Sequence, residues 1–244
     1  MMIQKPTLWQ IPQPTEADFQ HLNEKETALV ERIQTIAANQ KNAKFASSLA
    51  VEDMVITDVI AKTKANIAVF TLETGRLNPE TLALVEKVKN TYPELKLALF
   101  HPNPDAVAKY DNEKGKFAFY ESVELRRECC HICKIDPLNR ALQDADCWLT
   151  GQRREQSVTR TALPFHEQDE GRGIAKYNPI FDWSEMDVWA YILKYHIPYN
   201  ELYKQGYPSI GCAPCTRPVK AEEDIRAGRW WWENKDSKEC GLHK

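Results

Sequence analysis

Cysteine is the most reactive residue type in this chain, and its seven copies are unevenly spaced: Cys129, Cys130, Cys133, Cys147, Cys212, Cys215 and Cys240. Cys212 and Cys215 form Cys-Ala-Pro-Cys, and Cys129 and Cys130 are adjacent in Glu-Cys-Cys-His-Ile-Cys-Lys. A CxxC pair far from a second Cys pair suggests a four-thiolate metal site. Zinc takes its ligands at the corners of one small tetrahedron. Adjacent side chains point apart in extended backbone and would strain to fill two of those corners. An iron–sulfur cluster is larger and offers each thiolate its own iron, which suits an adjacent pair. Spacing alone leaves iron–sulfur, zinc and no metal open, the more so because Cys130-x-x-Cys133 is itself a CxxC. Cys147 lies in the apolar run DCWLTG (146–151) and reads as a core thiol. Cys240 sits four residues from the end, in KECGLHK (238–244), with His243 three places on. Chain ends are poorly packed in most domains. A thiol there is either an unused surface group or a nucleophile that travels between two partners.

A second set of residues could hold an anion. Ser47 and Ser48 precede a helical pattern that opens at Val51-Glu52-Asp53. Serine hydroxyls and backbone N–H groups at a helix start suit a phosphate, although a Ser-Ser pair there is more often a simple cap. Leu72-Glu73-Thr74-Gly75-Arg76-Leu77 follows an apolar run, and its glycine permits close backbone approach; alone it is only a turn. Thr150-Gly151-Gln152-Arg153-Arg154-Glu155-Gln156-Ser157, with Arg160 beyond, reads either as a solvated basic loop or as a site where guanidinium groups grip phosphate or sulfate oxygens.

The elements that must position these loops are legible from periodicity. Apolar runs at AKFASSL (43–49), NIAVFTL (66–72) and ELKLALF (94–100) alternate with helix-like patterns at 52–64 and 78–92. This is the signature of a parallel sheet covered by helices. DCWLTG (146–151) and IAKYNPIF (174–181) are further candidate strands, and 184–196 is a helix opened by Ser184. Upstream, 15–40 has helical apolar spacing at Phe19, Leu22, Leu29, Ile33 and Ile36, with Thr15 as N-cap and Asp18 three residues on. The run Trp230-Trp231-Trp232 is either core or interface. No internal repeat or low-complexity linker is present. The reading is one α/β domain at 41–233, preceded by a helical segment at 1–40 and followed by a tail at 234–244. In an open parallel sheet, ligands bind beyond the carboxyl ends of the strands, so the three loops are expected at one edge.

Bulk properties exclude several classes. The 244 residues carry a formal net charge of −3, with 43% hydrophobic and 27% charged residues. Such a balance argues against a nucleic-acid partner, and any anion site must be local. No apolar run approaches the roughly 20 residues of a membrane span. The start, MMIQKPTLWQIPQP, lacks the charged and apolar regions of a secretory signal, so a cytosolic protein is expected.

Taken together, the motifs resemble the assimilatory adenylyl-sulfate (APS) reductases of the thioredoxin-dependent, iron–sulfur type, with the 3'-phosphoadenylyl-sulfate (PAPS) reductases as close relatives. The resemblance runs from about Phe45 to His243. It is carried by the Cys129-Cys130 and Cys212-x-x-Cys215 pairs, 72–77, TGQRREQS (150–157), RAGRWWWE (226–233) and the ECGLH tail.

The resemblance implies an adenine-nucleotide alpha-hydrolase-like fold, a phosphate loop at 47–53 (Ser47, Ser48), and adenosine contacts from Leu72, Thr74 and Gly75. It implies an arginine-rich loop at 152–163 (Arg153, Arg154, Arg160, beside Gly151), and Lys134, Arg226, Arg229 and His243 around the sulfate and phosphate. It further implies one [4Fe-4S] cluster on Cys129, Cys130, Cys212 and Cys215, Cys240 as nucleophile, and thioredoxin as reductant. Two departures stand out: Cys133 occupies a position where such enzymes commonly have arginine, and Glu73 one where aspartate is usual. The loop Ser-Ser-Leu-Ala-Val-Glu-Asp lacks the glycines of ATP pyrophosphatases, so ATP cleavage fits poorly. Three competing readings remain: a PAPS reductase, a zinc-stabilised binding module without catalysis, and a nucleotide-binding sulfur carrier for RNA modification. The sequence does not fix the oligomeric state, and a homo-oligomer is compatible with it.

Overall fold

The computed structural model describes residues 6–156, 160–234 and 241. Six strands form one sheet: β1 (Ala43–Ala46), β2 (Ile67–Leu72), β3 (Ala98–Phe100), β4 (Cys147–Leu149), β5 (His166–Asp169) and β6 (Ile174–Tyr177). Their spatial order is β3-β2-β1-β4-β6-β5. Every neighbouring pair is parallel except β5 with β6, where Gln168 opposes Ala175 in an antiparallel hairpin. The expectation of a parallel, helix-covered sheet therefore holds for five strands. The sixth, HEQD, is polar and gave no apolar run to read.

The helices are α1 (Glu16–Asn39), α2 (Val51–Thr63), α3 (Pro79–Thr91), α4 (Pro104–Glu113), α5 (Val123–Cys130), α6 (Asp136–Ala141) and α7 (Glu185–Lys194), and a π turn at His131–Ile135 joins α5 to α6. The expected pairing of Thr15 with Asp18 opens α1, and Ser184 opens α7 as expected, where Asp187 completes a second capping box. α2 is buried on almost every side, through Val51, Met54, Val55, Ile56, Val59 and Ile60. α1 sends Leu22, Leu29, Ile33 and Ile36 into the same core as β1, α2 and α7. The N-terminal helix thus shares the main core.

The chain leaves β1 for β2 on one side, while β4 lies on the other side of β1. This reversal opens a crevice beyond the ends of β1 and β4, where open α/β sheets bind ligands. No helix among the described residues is long and apolar enough to cross a membrane.

Candidate active site and thiol centre

A cavity of about 270 Å³ occupies that crevice. The phosphate-loop candidates Ser47 and Ser48 line it from the end of β1, Leu72 and Thr74 from the end of β2, and Gly151 from the end of β4. Lys134, Arg160, Arg226 and Arg229 line it too. The three loops singled out in the sequence therefore meet at one sheet edge.

The β1 loop is shaped by Asp53. Its carboxylate accepts the Ser48 backbone N–H at 2.6 Å and the Ser48 hydroxyl at 2.5 Å. Leu49 takes a left-handed φ of 61°, and the Val51 N–H donates to the Tyr203 hydroxyl at 3.1 Å. A side chain at Gly151 would collide with the Asp53 carboxylate, so glycine is required where the β4 loop crosses the start of α2. Burial pushes the Asp53 carboxyl up to about 7, against the downward pull of the Ser48 and Gly151 hydrogen bonds.

Three of the candidate substrate residues stand off the cavity. Arg153 was expected on a loop closing over the substrate. Instead its guanidinium is buried, donating to Glu52 Oε1 at 2.8 Å and to the Trp183 carbonyl at 3.3 Å. A buried cation needs a partner, and Glu52 supplies it. Arg154 lies over the Phe181 ring at 4.6 Å and donates to the Leu163 carbonyl. Gly75, at φ 70°, turns the chain outside the cavity, its N–H on Glu73 Oε1. Ser157, Cys240 and His243 lie outside the described residues.

Beyond one wall of the cavity lies a pocket of thiols. Cys129, Cys130, Cys133, Cys212 and Cys215 are all buried, all free of disulfides, and packed with Tyr110, Phe119 and Trp230. Cys212 and Lys134 line the cavity itself, so the two spaces share a boundary. The adjacent pair Cys129-Cys130 lies in the last turn of α5 rather than in extended backbone, and the two side chains diverge around the helix. Cys147 is fully buried in β4, as its apolar surroundings predicted.

The thiol pocket is ringed by cations. Arg126, fully buried, hydrogen-bonds the Cys130 thiol and forms an ion pair with buried Glu233 at 2.8 Å. Arg76 acts on Cys129 and Cys133, and Lys134 and Arg229 on Cys215. The Thr74 hydroxyl stands 3.4 Å from Cys212 Sγ. Burial, followed by the charge of Cys212, pushes the Cys215 thiol up to about 12. A thiolate at Cys215 is therefore favoured by positive charge arriving with a ligand group. Among the described residues no three His, Cys, Asp or Glu side chains are grouped to hold one ion. The buried thiols of Cys129, Cys130, Cys212 and Cys215 are a donor set that suits an iron–sulfur cluster.

Several of these residues were not legible in the sequence. Arg126 and Glu233 are 107 positions apart and meet only through the fold. The motif RAGRWWWE is legible in the sequence, but its geometry is not: the Trp230 backbone N–H donates to the Cys215 carbonyl at 3.1 Å, and the ring stacks with Arg126 and Arg229 at 4.6 and 4.7 Å. Of the tryptophan run, Trp230 is core and Trp231 is 37% exposed.

Comparison with known proteins bears on this geometry. Residues 42–218 match the phosphoadenosine phosphosulfate reductase domain. The chain is 61% identical over its whole length to an adenosine 5'-phosphosulfate reductase of Neisseria meningitidis serogroup A, covering 100% of each chain. It is 56% identical to an adenosine 5'-phosphosulfate reductase of Burkholderia cepacia over 88% of each. Among solved structures, a phosphoadenylyl-sulfate reductase from Candida auris in complex with phosphate superposes with a TM-score of 0.68 at 28% identity, covering 84% of this chain and 99% of that one.

Proposed function

Because this chain belongs to the family of the phosphoadenosine phosphosulfate reductase domain, we propose that it reduces adenylyl sulfate (adenosine 5'-phosphosulfate) to sulfite and AMP in assimilatory sulfate reduction. Relatives that bear the adenosine 5'-phosphosulfate reductase name, one matched over the whole chain and one over 88% of it, support this substrate over its 3'-phosphorylated form. The observation that carries the reading is the shared boundary: a switch-point cavity lined by Ser47, Ser48, Lys134 and Arg229 is also lined by Cys212 of the buried thiol centre.

Ser47 offers its hydroxyl to the nucleotide, while Asp53 takes both Ser48 donors and so fixes the loop around the cavity. Lys134, Arg226 and Arg229 supply positive charge where the phosphate departs. Cys240, as thiolate, attacks the sulfur of adenylyl sulfate. A bond forms between the two sulfurs, the S–O bond to the AMP phosphate breaks, and AMP leaves with the electron pair. Lys238, His243 and the arginines favour the thiolate through their charge. One thiolate of a dithiol reductant of the thioredoxin type then attacks Cys240 sulfur. Sulfite leaves with the bonding pair, and the second thiol of the reductant resolves the mixed disulfide. The two electrons come from that dithiol. Gly241, the residue after Cys240, lies against Ile135, next to Lys134, which supports delivery of Cys240 to this cavity.

Cys129, Cys130, Cys212 and Cys215 would hold one [4Fe-4S] cluster. When bound it would tie the four cysteines together and bias the charge beside the cavity.

The test is one preparation. Protein purified without oxygen is expected to be brown, with about four irons per chain, and to release sulfite from adenylyl sulfate and reduced thioredoxin. C240S should bind nucleotide and release no sulfite. A colourless protein with one zinc, or a C240S variant with normal turnover, overturns the reading. Higher turnover with a 3'-phosphate on the substrate assigns the chain to the other branch of the family.

A further inference from the structure

Gln156 closes the short 3-10 turn Arg154–Gln156 after β4, and its half-buried side chain is engaged at both of its polar atoms. The carboxamide oxygen accepts from Arg160 Nη1 at 2.7 Å and from the Arg153 backbone N–H at 3.1 Å. The carboxamide nitrogen donates to Glu52 Oε1 at 3.0 Å and to the Gly151 carbonyl at 3.4 Å. These partners fix the orientation, since turning the amide over would set donors against donors and acceptors against acceptors. Glu52 is anchored in turn, because the same Oε1 takes Arg153 Nη2 at 2.8 Å. The Gln156 side chain therefore ties the first turn of α2 and the β4 loop to Arg160, and Gln156 and Arg160 both line the cavity. Arginine carries much side-chain freedom, and holding its guanidinium in advance removes an ordering cost from binding. Gln156 does this without adding a charge. A glutamate there would meet Arg160 as an ion pair and stand against the Glu52 carboxylate.

Resting on the substrate reading above, we propose that Gln156 is a positioning residue: it is a neutral link that runs from Glu52 and holds Arg160 at the cavity wall for the anionic phosphosulfate group of adenylyl sulfate. The affinity that Gln156 confers then passes through Arg160.

The experiment uses C240S, which binds without turning over. Its calorimetric affinity for adenylyl sulfate is compared with that of the same protein carrying Q156M, R160M, both changes, or Q156E. Methionine keeps the length of glutamine and removes its hydrogen bonds. Q156M and R160M should each weaken binding about tenfold, as loss of a hydrogen bond to a charged group does. The double change should bind no more weakly than R160M alone, which is the signature of two residues acting as one unit. With Cys240 in place, Q156M should raise KM and leave kcat unchanged. Unchanged affinity in Q156M overturns the proposal, and so does a fall in kcat with KM unmoved. A further loss when Q156M is added to R160M overturns it too, since Gln156 would then touch the substrate itself or merely brace the loop. If R160M binds as tightly as its parent, the substrate reading stands and the positioning role falls. If the parent binds no adenylyl sulfate, both fall. Should Q156M not fold, Q156E decides: its added carboxylate must weaken binding, and parental affinity overturns the proposal.

Discussion

Asp53 is the residue where burial and hydrogen bonding are most evenly opposed. The Ser48 N–H and hydroxyl favour its carboxylate, but burial outweighs them and lifts its pKa to about 7 from an ordinary value of 3.8. The folded state then holds a proton that the unfolded state has released. This group's stabilising contribution is full below about pH 4 and is lost as pH rises through about 7. Asn cannot titrate, so the melting temperature of D53N should gain on that of wild type between pH 5 and pH 8. A difference that stays flat across that range would mean Asp53 is ionised throughout. The sequence could not foretell this, because an Asp in the first turn of a helix ordinarily stays charged beside the N-terminal dipole. Arg153 illustrates the same limit. Its place in TGQRREQS was legible, but the direction of its side chain was decided by Glu52, 101 residues away. Breaking a buried pair by removing one charge leaves the other uncompensated, typically at a cost of about 3–5 kcal/mol. E233Q should therefore lower the melting temperature and speed iron loss, because Arg126 also holds Cys130.

At the scale of elements, the sheet was readable wherever strands are apolar and buried on both faces. β1, β2, β4 and β6 fall within the expected runs, and β3 is the shorter Ala98–Phe100 because Pro93–Leu95 forms a 3-10 turn. The antiparallel β5 was missed because His166-Glu-Gln-Asp carries no alternation to detect, although the turn before β6 has a glycine, Gly173, at φ 68°. α4 and α5 are short and polar. Their clearest signals were caps: Asn103 ahead of Pro104, and Ser122, both of which accept backbone N–H groups in the first turn. The loop after β4 depends on contact between elements, since Gly151 leaves room for Asp53 of α2. G151A should shift the β4 loop from the β1 loop and weaken AMP binding at least tenfold, as read by calorimetry, while the far-ultraviolet circular dichroism stays unchanged. Unaltered affinity would show that the two loops are not coupled.

For the whole molecule, α1 is the element with no motif and a large share of the core. Leu29 is fully buried among the main-core residues. L29A should cost about 2–5 kcal/mol, as large-to-small core changes do, and lower the melting temperature by about 2–4 °C per kcal/mol in a chain of this size. Turnover at 25 °C should be unchanged, because no residue of α1 lines the cavity. A loss of turnover at full folding would give the N-terminal helix a part in the reaction.

The Arg126–Glu233 pair also fixes where the chain departs for its last residues. Only six positions separate Asn234 from Cys240. Fully extended, six residues span about 20 Å, so that sulfur is leashed within a sphere of about that radius. One group in such a volume corresponds to an effective concentration of tens of millimolar, by the reasoning used for tethered ligands. A small thiol added to C240S therefore has to approach that concentration before it can replace the tethered one, and lengthening the leash should dilute the enzyme's own nucleophile in the same measure.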